Sequence, residues 1–351
     1  MMTEILPPQD DRDRENALQT RVERSASQNP AVSYLASLGS ASSRRVQRAA
    51  LDKIAELLSN GKITDCLNFP WEKLDYGTVI AVKAWLDDHY APATVNRYLV
   101  AIRRVIKEAW RHHLISAEAY QRATDVQSVN AQRLPTGREL ASEELRGLIA
   151  ACLGDEKNPK LGLRDAAIIS LMYSSGLRRS EVVTLDLEDL DLTKGQLRVI
   201  GKRNKERLAF LAEGAVRAIQ KWLEVRGDQP GPLFYPVNKS GKVVRKRKVR
   251  LTEAQKTTGR TPGWVEARLT DQIIYHIIDR RALEAGLVKK TTPHDLRRTF
   301  VSDLLEAGVD LSTVSKMAGH EDTNTTRRYD RRPDKVMQEA VERLDVPFPE
   351  E

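Results

Sequence analysis

Apolar residues recur at helical spacing along most of the chain. The stretch 42–58, SSRRVQRAALDKIAELL, puts Val46, Ala50, Ile54 and Leu57 on one stripe, with a serine at its start as N-cap, and predicts an amphipathic helix. Because such a stripe is normally buried against other elements, a helical core is expected. Similar patterns predict helices over 71–90, 91–115, 142–153, 163–177, 215–225 and 271–287.

One stretch alternates at strand spacing instead. Residues 195–211, GQLRVIGKRNKERLAFL, are typical of a strand, a basic turn at 201–204 and a second strand. This is the only convincing hairpin in the sequence, and the polar region of roughly 236–261 is interpreted as irregular chain. The pattern therefore predicts a mainly α protein with a small β-hairpin or sheet.

The chain of 351 residues is long enough for two domains, with a single domain as the alternative. Residues 1–27 are charged and lack a sustained apolar period, which indicates a disordered tail. Periodicity is lost again over 125–138, around Pro135 and Gly137, which indicates a linker. The remaining segments are a helical domain over 28–124, a second domain over 139–332 and a C-terminal segment over 333–351.

The stretch 291–332 concentrates residues that can do chemistry. Pro293 begins a predicted helix that carries His294 and Arg297 three positions apart, so both side chains share a face near its N-terminus. Backbone N–H groups at a helix N-terminus favour an anion, which outlines a phosphate site. Further along the same stretch lie Gly319, which ends a second short helix, then His320 and Tyr329.

Two kinds of residue in this sequence suit a reaction at a phosphodiester. Arginine can bind the phosphate, and tyrosine can attack it. Arg178 and Glu181 lie one helical turn apart and can face the same pocket. Guanidinium groups hold phosphate oxygens bidentately, so Arg178 and Arg297 suit a phosphate clamp. Tyr329 would need a base or a positive pocket to act as a nucleophile, because a tyrosine pKa is normally about 10. Taken singly, each residue has an ordinary structural explanation, and only their conjunction supports the hypothesis.

Positive charge is concentrated in two places. The chain has 57 Lys and Arg against 49 Asp and Glu, a net charge of +8 and a pI near 9.4, which is a modest excess. Arginines recur every seven residues on the helix over 91–115, and six of the nine residues in Lys242–Arg250 are basic. A solvated helix face, and a solvated loop or localisation-like patch, are the respective alternatives. If the protein binds DNA, the candidate contacts are Arg97, Arg104, Arg111, Arg245, Lys246, Arg247 and Lys248.

The remaining composition argues against several classes of protein. Cys66 and Cys152 are far apart and show no Cys/His ligand spacing, so neither a disulfide framework nor a zinc site is expected. The acidic start does not resemble a signal peptide, and no window approaches eighteen apolar residues. We therefore expect a cytoplasmic protein without a membrane partner, associated with the nucleoid when it is bound to DNA.

Four pieces of sequence together resemble one family: SSGLRRSEVVTL, VIGKRNKERL, PHDLRRTFVSDLLEAG and AGHEDTNTTRRY. They are similar to the motifs of the tyrosine recombinase (phage integrase) family, whose catalytic domain carries Arg, Lys, His-x-x-Arg, His and Tyr in that order. The resemblance implies an N-terminal all-α core-binding domain followed by an α+β tyrosine recombinase catalytic domain. The helical half of this resemblance is much less specific than the catalytic half.

The resemblance also implies a role for each matching residue. Glu181 supports the first family arginine, and Lys202 corresponds to the hairpin lysine, with Lys205 in the same turn as a rival. Arg298 occupies a place where the family often has histidine or another residue. The implied catalytic set is Arg178, Lys202, His294, Arg297, His320 and the nucleophile Tyr329.

The implied reaction leaves a 3′-phosphotyrosine and expels a 5′-hydroxyl. Lys202 would protonate this leaving group, and His294 with the arginines would activate Tyr329. His320 would hydrogen-bond the scissile phosphate. Because no Asp/Glu cluster with metal spacing accompanies these residues, we expect no metal. Because the protein–DNA bond conserves the energy of the broken bond, we expect no ATP and no other cofactor.

The implied partner is double-stranded DNA with a short inverted-repeat core site, bound by a homotetramer and gripped by both domains. The segment 333–351 would dock into a neighbouring subunit, and packing on its own domain is the alternative. Two other functions stay open. One is a catalytically silent DNA-binding protein of the same fold, and the other is a type IB topoisomerase, which shares the chemistry and differs in assembly.

Overall fold

The computed structural model describes residues 16–130, 137–201, 205–249, 263–320, 326–327 and 341. The chain divides into two compact units, Met1–Leu134 and Pro135–Glu351, and this boundary lies within the stretch 125–138. Helices dominate the described part of both units, and the sheets are small. The predicted fold class, mainly α with a small β component, is confirmed.

The first unit is helical throughout its described residues, with short 3₁₀ turns between the helices. Its core forms where the apolar faces of these helices meet. The helices are α1 (Pro30–Ala36), α2 (Ala41–Leu58), α3 (Tyr76–His89), α4 (Pro92–Arg111) and α5 (Ala117–Thr124).

Helix α4 is the longest of these helices. Pro92 occupies its first turn, where no N–H is needed and the fixed φ suits a helix. Val95, Leu99 and Ile102 are buried on one face, as predicted. Burying a Leu or Ile side chain contributes roughly 1.5–3 kcal/mol, so Leu99→Ala would lower the unfolding free energy by about 2–5 kcal/mol once the cavity is included. The predicted arginine row, Arg97, Arg104 and Arg111, is exposed.

Helix α2 buries a stripe that differs from the predicted one. It begins at Ala41, because the side chain of Ser40, which precedes both predicted N-cap serines, accepts the N–H of Ser43 at 3.0 Å. Val46 is 40% exposed because the N-terminal half of the helix extends beyond the core. The residues that are buried are Ala50, Leu51, Ile54, Ala55 and Leu58.

Part of the predicted tail and part of the predicted linker belong to the core of the first unit. Leu18 is buried, and Arg24 pairs with Glu72 at 2.7 Å, so the prediction of disorder is wrong for residues 16–27. Val126 is also buried. A single anchoring side chain leaves no periodic signal, since its contacts are distant in sequence.

The second unit is built around helix α7 (Pro159–Ser175), which is buried along most of its length. Asp165 on this helix is fully buried, and its carboxylate is held by Arg164, Arg280 and Arg281 at 2.5–3.0 Å. Pairing of this kind makes a buried charge tolerable. The other helices are α6 (Ser142–Leu153), α8 (Arg179–Val182), α9 (Glu213–Arg226), α10 (Asp271–Glu284), α11 (Pro293–Glu306) and α12 (Leu311–Ala318).

The predicted hairpin is confirmed as part of a three-stranded antiparallel sheet. Leu197 and Val199 on one strand and Ala209 on the next face the core at a period of two, and the residues between them face solvent. The strands, in sheet order, are β1 (Leu190–Asp191), β2 (Gln196–Ile200) and β3 (Glu206–Phe210).

A second antiparallel ribbon begins in the region that was predicted to be irregular. Strand β4 (Lys246–Lys248) pairs with strand β5 (Trp264–Glu266). All six of these residues are exposed, so the sequence carries no alternation of apolar and polar positions to reveal the strands. The prediction of irregular chain is therefore wrong for β4, and β5, which lies just beyond that region, was not predicted.

Candidate active site

A glycine turn packs the loop before Arg178 against helix α11. Gly176 ends α7 with a φ of 60°, and its carbonyl accepts a hydrogen bond from Nη1 of Arg297 at 2.6 Å. A Cβ at this position would lie 2.4 Å from the ring of Phe300, so the approach requires glycine. Two segments that are far apart in sequence are thereby joined.

Arg178 is held at both ends of its guanidinium group. Nη1 donates to Oε1 of Glu181 at 3.0 Å, and Nη2 donates to the carbonyl of Gly319 at 3.0 Å. The backbone N–H of Arg178 donates to Oε2 of Glu181 at 2.9 Å. Because 38% of the side chain remains exposed, the guanidinium group is oriented and still accessible to a ligand.

Arg207, on β3, is a site residue that was not predicted. Its guanidinium group donates to both carboxylate oxygens of Glu181, at 3.1 and 3.2 Å. Burial by itself would raise the pKa of the Glu181 carboxyl, but the hydrogen bonds from Arg207 and from the Arg178 backbone hold that pKa below its ordinary value. Arg207 therefore keeps Glu181 ionised. In the sequence it is one arginine among many in a basic hairpin, so no local signal distinguishes it.

A second glycine turn connects this network to His320. Helix α12 ends at Gly319 with a φ of 63°, and a Cβ there would lie 2.8 Å from Nε of Arg207. The backbone N–H of His320 donates to the carbonyl of Ser315 at 3.0 Å. Nδ1 of His320 lies 2.7 Å from Oγ1 of Thr326, which is fully buried. The chain beyond α12 therefore returns to the network at Thr326.

Helix α11 contributes the two residues predicted to share its face. Arg297 is buried and His294 is exposed, and both line a cavity of about 310 Å³. Tyr275 also lines this cavity. Arg178 and Arg179 also line this cavity, so three arginines surround it.

The N-terminus of α11, where an anion was expected to bind, is capped by its own side chains. The hydroxyl and N–H of Thr292 both donate to Oδ2 of Asp295 at 2.8 Å, which forms a capping box. A carboxylate already lies at the positive end of the helix dipole. The positive charge of the cavity comes from side chains instead.

Loss of hydration and the clustered arginines keep both histidines uncharged at neutral pH. Loss of hydration, and then the charges of Arg297 and Arg178, lower the pKa of His320 to about 3. Loss of hydration and Arg297 also lower the pKa of His294. Neutral imidazoles can donate or accept a hydrogen bond and can accept a proton. The network has the charge and the donors of an oxyanion site.

The second unit matches a known protein family over most of its length. Residues 138–335 fit the model of the Phage integrase family. Tyrosine recombinase XerD of Lacticaseibacillus casei is 33% identical over 261 residues, which cover 73% of this chain and 78% of XerD. The chain belongs to the phage integrase family of tyrosine recombinases. Tyrosine recombinase XerC of Actinobacillus pleuropneumoniae is 29% identical over 315 residues, which cover 88% of this chain and 85% of XerC.

Solved structures agree with the fold of this tyrosine recombinase. XerH site-specific recombinase, in a pre-cleavage complex with a difH substrate, aligns with a TM-score of 0.60 at 21% identity over 92% of this chain and 85% of that chain. A lambda integrase (75–356) dimer on a COC' core site aligns with a TM-score of 0.60 at 15% identity over 86% and 93%. The family and its recombinase relatives establish the activity as site-specific DNA recombination.

Two predicted catalytic residues of this recombinase, Lys202 and Tyr329, lie outside the described residues. Their described neighbours approach the network. A Cβ on Gly201 would lie 4.0 Å from Oε1 of Glu181. Thr326, which contacts His320, is three positions before Tyr329. The described catalytic candidates, Arg178, His294, Arg297 and His320, are brought together with Glu181.

The described residues predicted to contact DNA are exposed, whereas Arg298, at a position where the family often has another residue, is buried. The arginines of α4 and the cations of β4 are exposed. Arg245 is also exposed, but its Nη2 donates to the carbonyl of Arg226 at 2.6 Å. Arg298 is 2% exposed, and its Nη1 donates to the carbonyl of Gly137 at 3.2 Å, so it joins the start of the second unit to α11.

Among the described residues, the one close group of possible metal ligands is Asp52, Asp65 and Cys66, in the first unit. Oδ1 of Asp52 accepts the N–H of Cys66 at 2.8 Å, and Oδ1 of Asp65 accepts the N–H of Leu67 at 3.0 Å. Burial, and then the hydrogen bond with Asp52, raise the pKa of the Cys66 thiol, which keeps it protonated and a poor ligand. The group caps a turn.

A second cavity lies outside this site. A cavity of about 700 Å³, larger than the one at Arg178, lies between α10 and residues 236–239 and contains none of the predicted catalytic residues. The size of a cavity therefore does not by itself locate the catalytic residues.

None of the described helices is long and apolar enough to cross a membrane.

Proposed function

We propose that this recombinase cuts and rejoins DNA strands through a 3′-phosphotyrosine bond at Tyr329. The observation that supports this most directly is the convergence of Arg178, Arg297 and His320 on one positively charged site. These residues come from segments that are far apart in the chain, so ordinary local packing does not account for their meeting.

In this proposal the two arginines hold the scissile phosphate. A phosphodiester under attack spreads negative charge over its non-bridging oxygens, which guanidinium groups can bind in pairs. The exposure of Arg178 leaves donors available for this contact, while Glu181 fixes the position of its guanidinium group. His320, uncharged in the DNA-free protein, donates a neutral hydrogen bond to the same phosphate.

Tyr329 is the proposed nucleophile. Its phenolate oxygen bonds to the scissile phosphorus, and the bond from phosphorus to the 5′-oxygen breaks. His294 accepts the phenol proton, a role that its lowered pKa permits because the imidazole is neutral at neutral pH. Thr326 supports this assignment, since three residues of extended chain span at most about 11 Å and so keep Tyr329 near His320.

The 5′-oxygen leaves as a hydroxyl, and Lys202 is the proposed proton donor. The closeness of Gly201 to the Glu181 carboxylate supports this role, because it brings the start of the hairpin turn to the network. Lys205 is the rival. Replacing the 5′-bridging oxygen with sulfur removes the need for a proton, so we expect this substrate to restore cleavage in Lys202→Ala. Restoration in Lys205→Ala alone would assign the acid to Lys205.

We further propose that the protein acts as a homotetramer on two double-stranded sites with short inverted repeats. Segment 333–351 carries an apolar stripe of Val336, Ala340 and Leu344 at helical spacing, which suits docking into a neighbouring copy. Both units contribute DNA contacts, through the arginines of α4 and the cations of β4. Truncation after Arg332 is expected to abolish tetramers on DNA while monomers still cleave. A truncated chain that still forms tetramers would contradict this role.

A nicked substrate tests the proposed chemistry against its alternatives. A duplex selected by repeated binding from a random pool is nicked at successive positions near its centre, so that the short strand released by cleavage diffuses away. We expect a covalent protein–DNA adduct on a denaturing gel, and none from Tyr329→Phe. A binding-competent protein without any adduct would support a silent DNA-binding protein. Relaxation of supercoiled plasmid by monomers at arbitrary sequence would support a topoisomerase.

A further inference from the structure

The ribbon of β4 and β5 is not explained by packing. Its six residues are all exposed, so it buries neither face. A two-stranded ribbon of this kind is at best marginally stable in water by itself. Trp264 is 63% exposed and Val265 is 42% exposed, although solvent-facing strands normally avoid large apolar side chains.

The charge of the ribbon is distributed unevenly along its length. Glu266, the one carboxylate of the two strands, pairs in register with Lys246 at the end that joins the body of the unit. There it approaches Tyr235, whose pKa is raised by burial and then by this carboxylate. Towards the other end, Lys248 lies opposite Trp264, and its Nζ is 5.6 Å from the ring centre. Cations and an indole are therefore presented together, as on surfaces that bind nucleic acid.

The base of the ribbon is bonded to the segments that carry the candidate site. Nη2 of Arg245 donates to the carbonyl of Arg226 at 2.6 Å. Arg268, two residues beyond β5, donates to Oδ1 of Asp186 at 2.5 Å and weakly to the carbonyls before it. Asp186 follows helix α8, whose N-cap is Arg178. A molecule bound by the ribbon would therefore be held next to the element that positions Arg178.

We infer that the ribbon is an arm that enters a groove of the DNA duplex on which the recombinase acts. This inference rests on the proposed function, which supplies the duplex. A two-stranded ribbon fits the major groove, which is about 12 Å wide. Successive strand residues point to opposite faces, so Arg247 and the two lysines beside it reach phosphates on both walls. Trp264 contacts sugars and base edges between them.

The salt dependence of DNA binding distinguishes the contact made by the cations of β4 from the contact made by Trp264. Each phosphate neutralised by a cation adds about 0.9 to the slope of log affinity against log salt concentration. The triple variant Lys246→Gln, Arg247→Gln and Lys248→Gln of the full chain is therefore expected to lower the slope by about 2 to 3. Trp264→Ala is expected to weaken binding about tenfold at every salt concentration without changing the slope.

A matched triple variant controls for net charge. Lys157→Gln, Lys160→Gln and Lys221→Gln removes three exposed cations of the same unit that are not part of the ribbon. We expect its slope to stay close to that of the unaltered chain. None of the ribbon substitutions removes a buried side chain, so thermal unfolding provides a check that each variant is folded.

The outcomes distinguish this inference from the proposed function. Equal slopes for the ribbon and control triples, from a chain that still forms the covalent adduct, would overturn the arm and leave the function in place. Loss of assembly on DNA with an unchanged slope would assign the ribbon to a protein partner and also overturn the arm. A chain that binds duplex but never forms the adduct would contradict the function, whatever the slopes of its variants.

Discussion

At the scale of single residues, the site depends on how one buried carboxylate is shared. Glu181 accepts hydrogen bonds from the backbone and the side chain of Arg178 and from the side chain of Arg207. Without Arg207, the carboxylate would keep Arg178 as its main cationic partner and would draw that guanidinium group away from a phosphate. Arg207 is thus a positioning residue that acts through Glu181.

Arg207→Met tests this role. We expect the single-turnover rate of cleavage at saturating DNA to fall roughly 10- to 100-fold, as for other residues that orient a catalytic group, with little change in DNA affinity. The unfolding free energy should fall by roughly 3 kcal/mol because a buried charge pair is broken. Arg198→Met, which changes an exposed arginine on the neighbouring strand β2, is the control. Equal cleavage rates for the two variants would contradict the role of Arg207.

The protonation of His320 makes a second prediction at this scale. Its pKa is about 3 in the folded protein and ordinarily 6.5, so the unfolded chain binds a proton that the folded chain does not in the pH range between these values. Stability should therefore fall as the pH falls below 6.5. Urea unfolding at pH 7.5 and pH 5 is expected to show a smaller loss for His320→Asn than for the unaltered chain. An identical loss in both proteins would be inconsistent with the lowered pKa.

At the scale of elements, sequence periodicity predicted the helices and strands that bury one face. It failed for strands that bury nothing and for a side chain that is buried singly. Helix α4 and the hairpin of β2 and β3 have apolar positions at periods near 3.6 and 2, and both were found. The strands β4 and β5 bury nothing, and Leu18 is buried as a single side chain, so neither produced a pattern. Helix α2 was predicted, but its stripe was misplaced because part of the helix extends beyond the core.

The turns that end α11 and α12 offer a matched pair of glycines. Gly319 and Gly308 both have positive φ, of 63° and 86°, but a Cβ would meet Arg207 at Gly319 and nothing within 4 Å at Gly308. Gly308→Ala should therefore cost only the backbone strain, about 1–2 kcal/mol, and leave cleavage unchanged. Gly319→Ala should cost more and also slow cleavage, because Arg207 must shift. If cleavage is the same in both variants, the contact with Arg207 does not matter for the site.

At the scale of the whole molecule, family motifs predicted more of the site than physical pattern did. Arg178, His294, Arg297 and His320 were identified by their order along the chain, and the structure brings them together. Arg207 and Thr326 were not predicted, because each acts through a contact with a residue that is distant in sequence or placed by a turn. The capping box at the N-terminus of α11 was not predicted, although Thr292 and Asp295 stand three positions apart there.

The net charge of +8 is small beside 57 cationic residues, so DNA binding must depend on where the cations lie. Replacing the row of α4 by glutamine, as Arg97→Gln, Arg104→Gln and Arg111→Gln, should reduce the salt slope of DNA binding by about 2 to 3. Arg45→Gln, Lys73→Gln and Arg122→Gln removes three other exposed cations of the first unit. If the control triple variant reduces the slope as much as the α4 triple variant, DNA binding depends on total charge and not on the position of the cations.

The most direct test of the account is to identify the residue that carries DNA. The covalent adduct is digested with protease and nuclease, and the peptide that bears a nucleotide is sequenced by mass spectrometry. We predict a nucleotide joined through its 3′-phosphate to Tyr329, and a free 5′-hydroxyl on the other side of the break. Attachment at any other residue, or through a 5′-phosphate, would contradict the account.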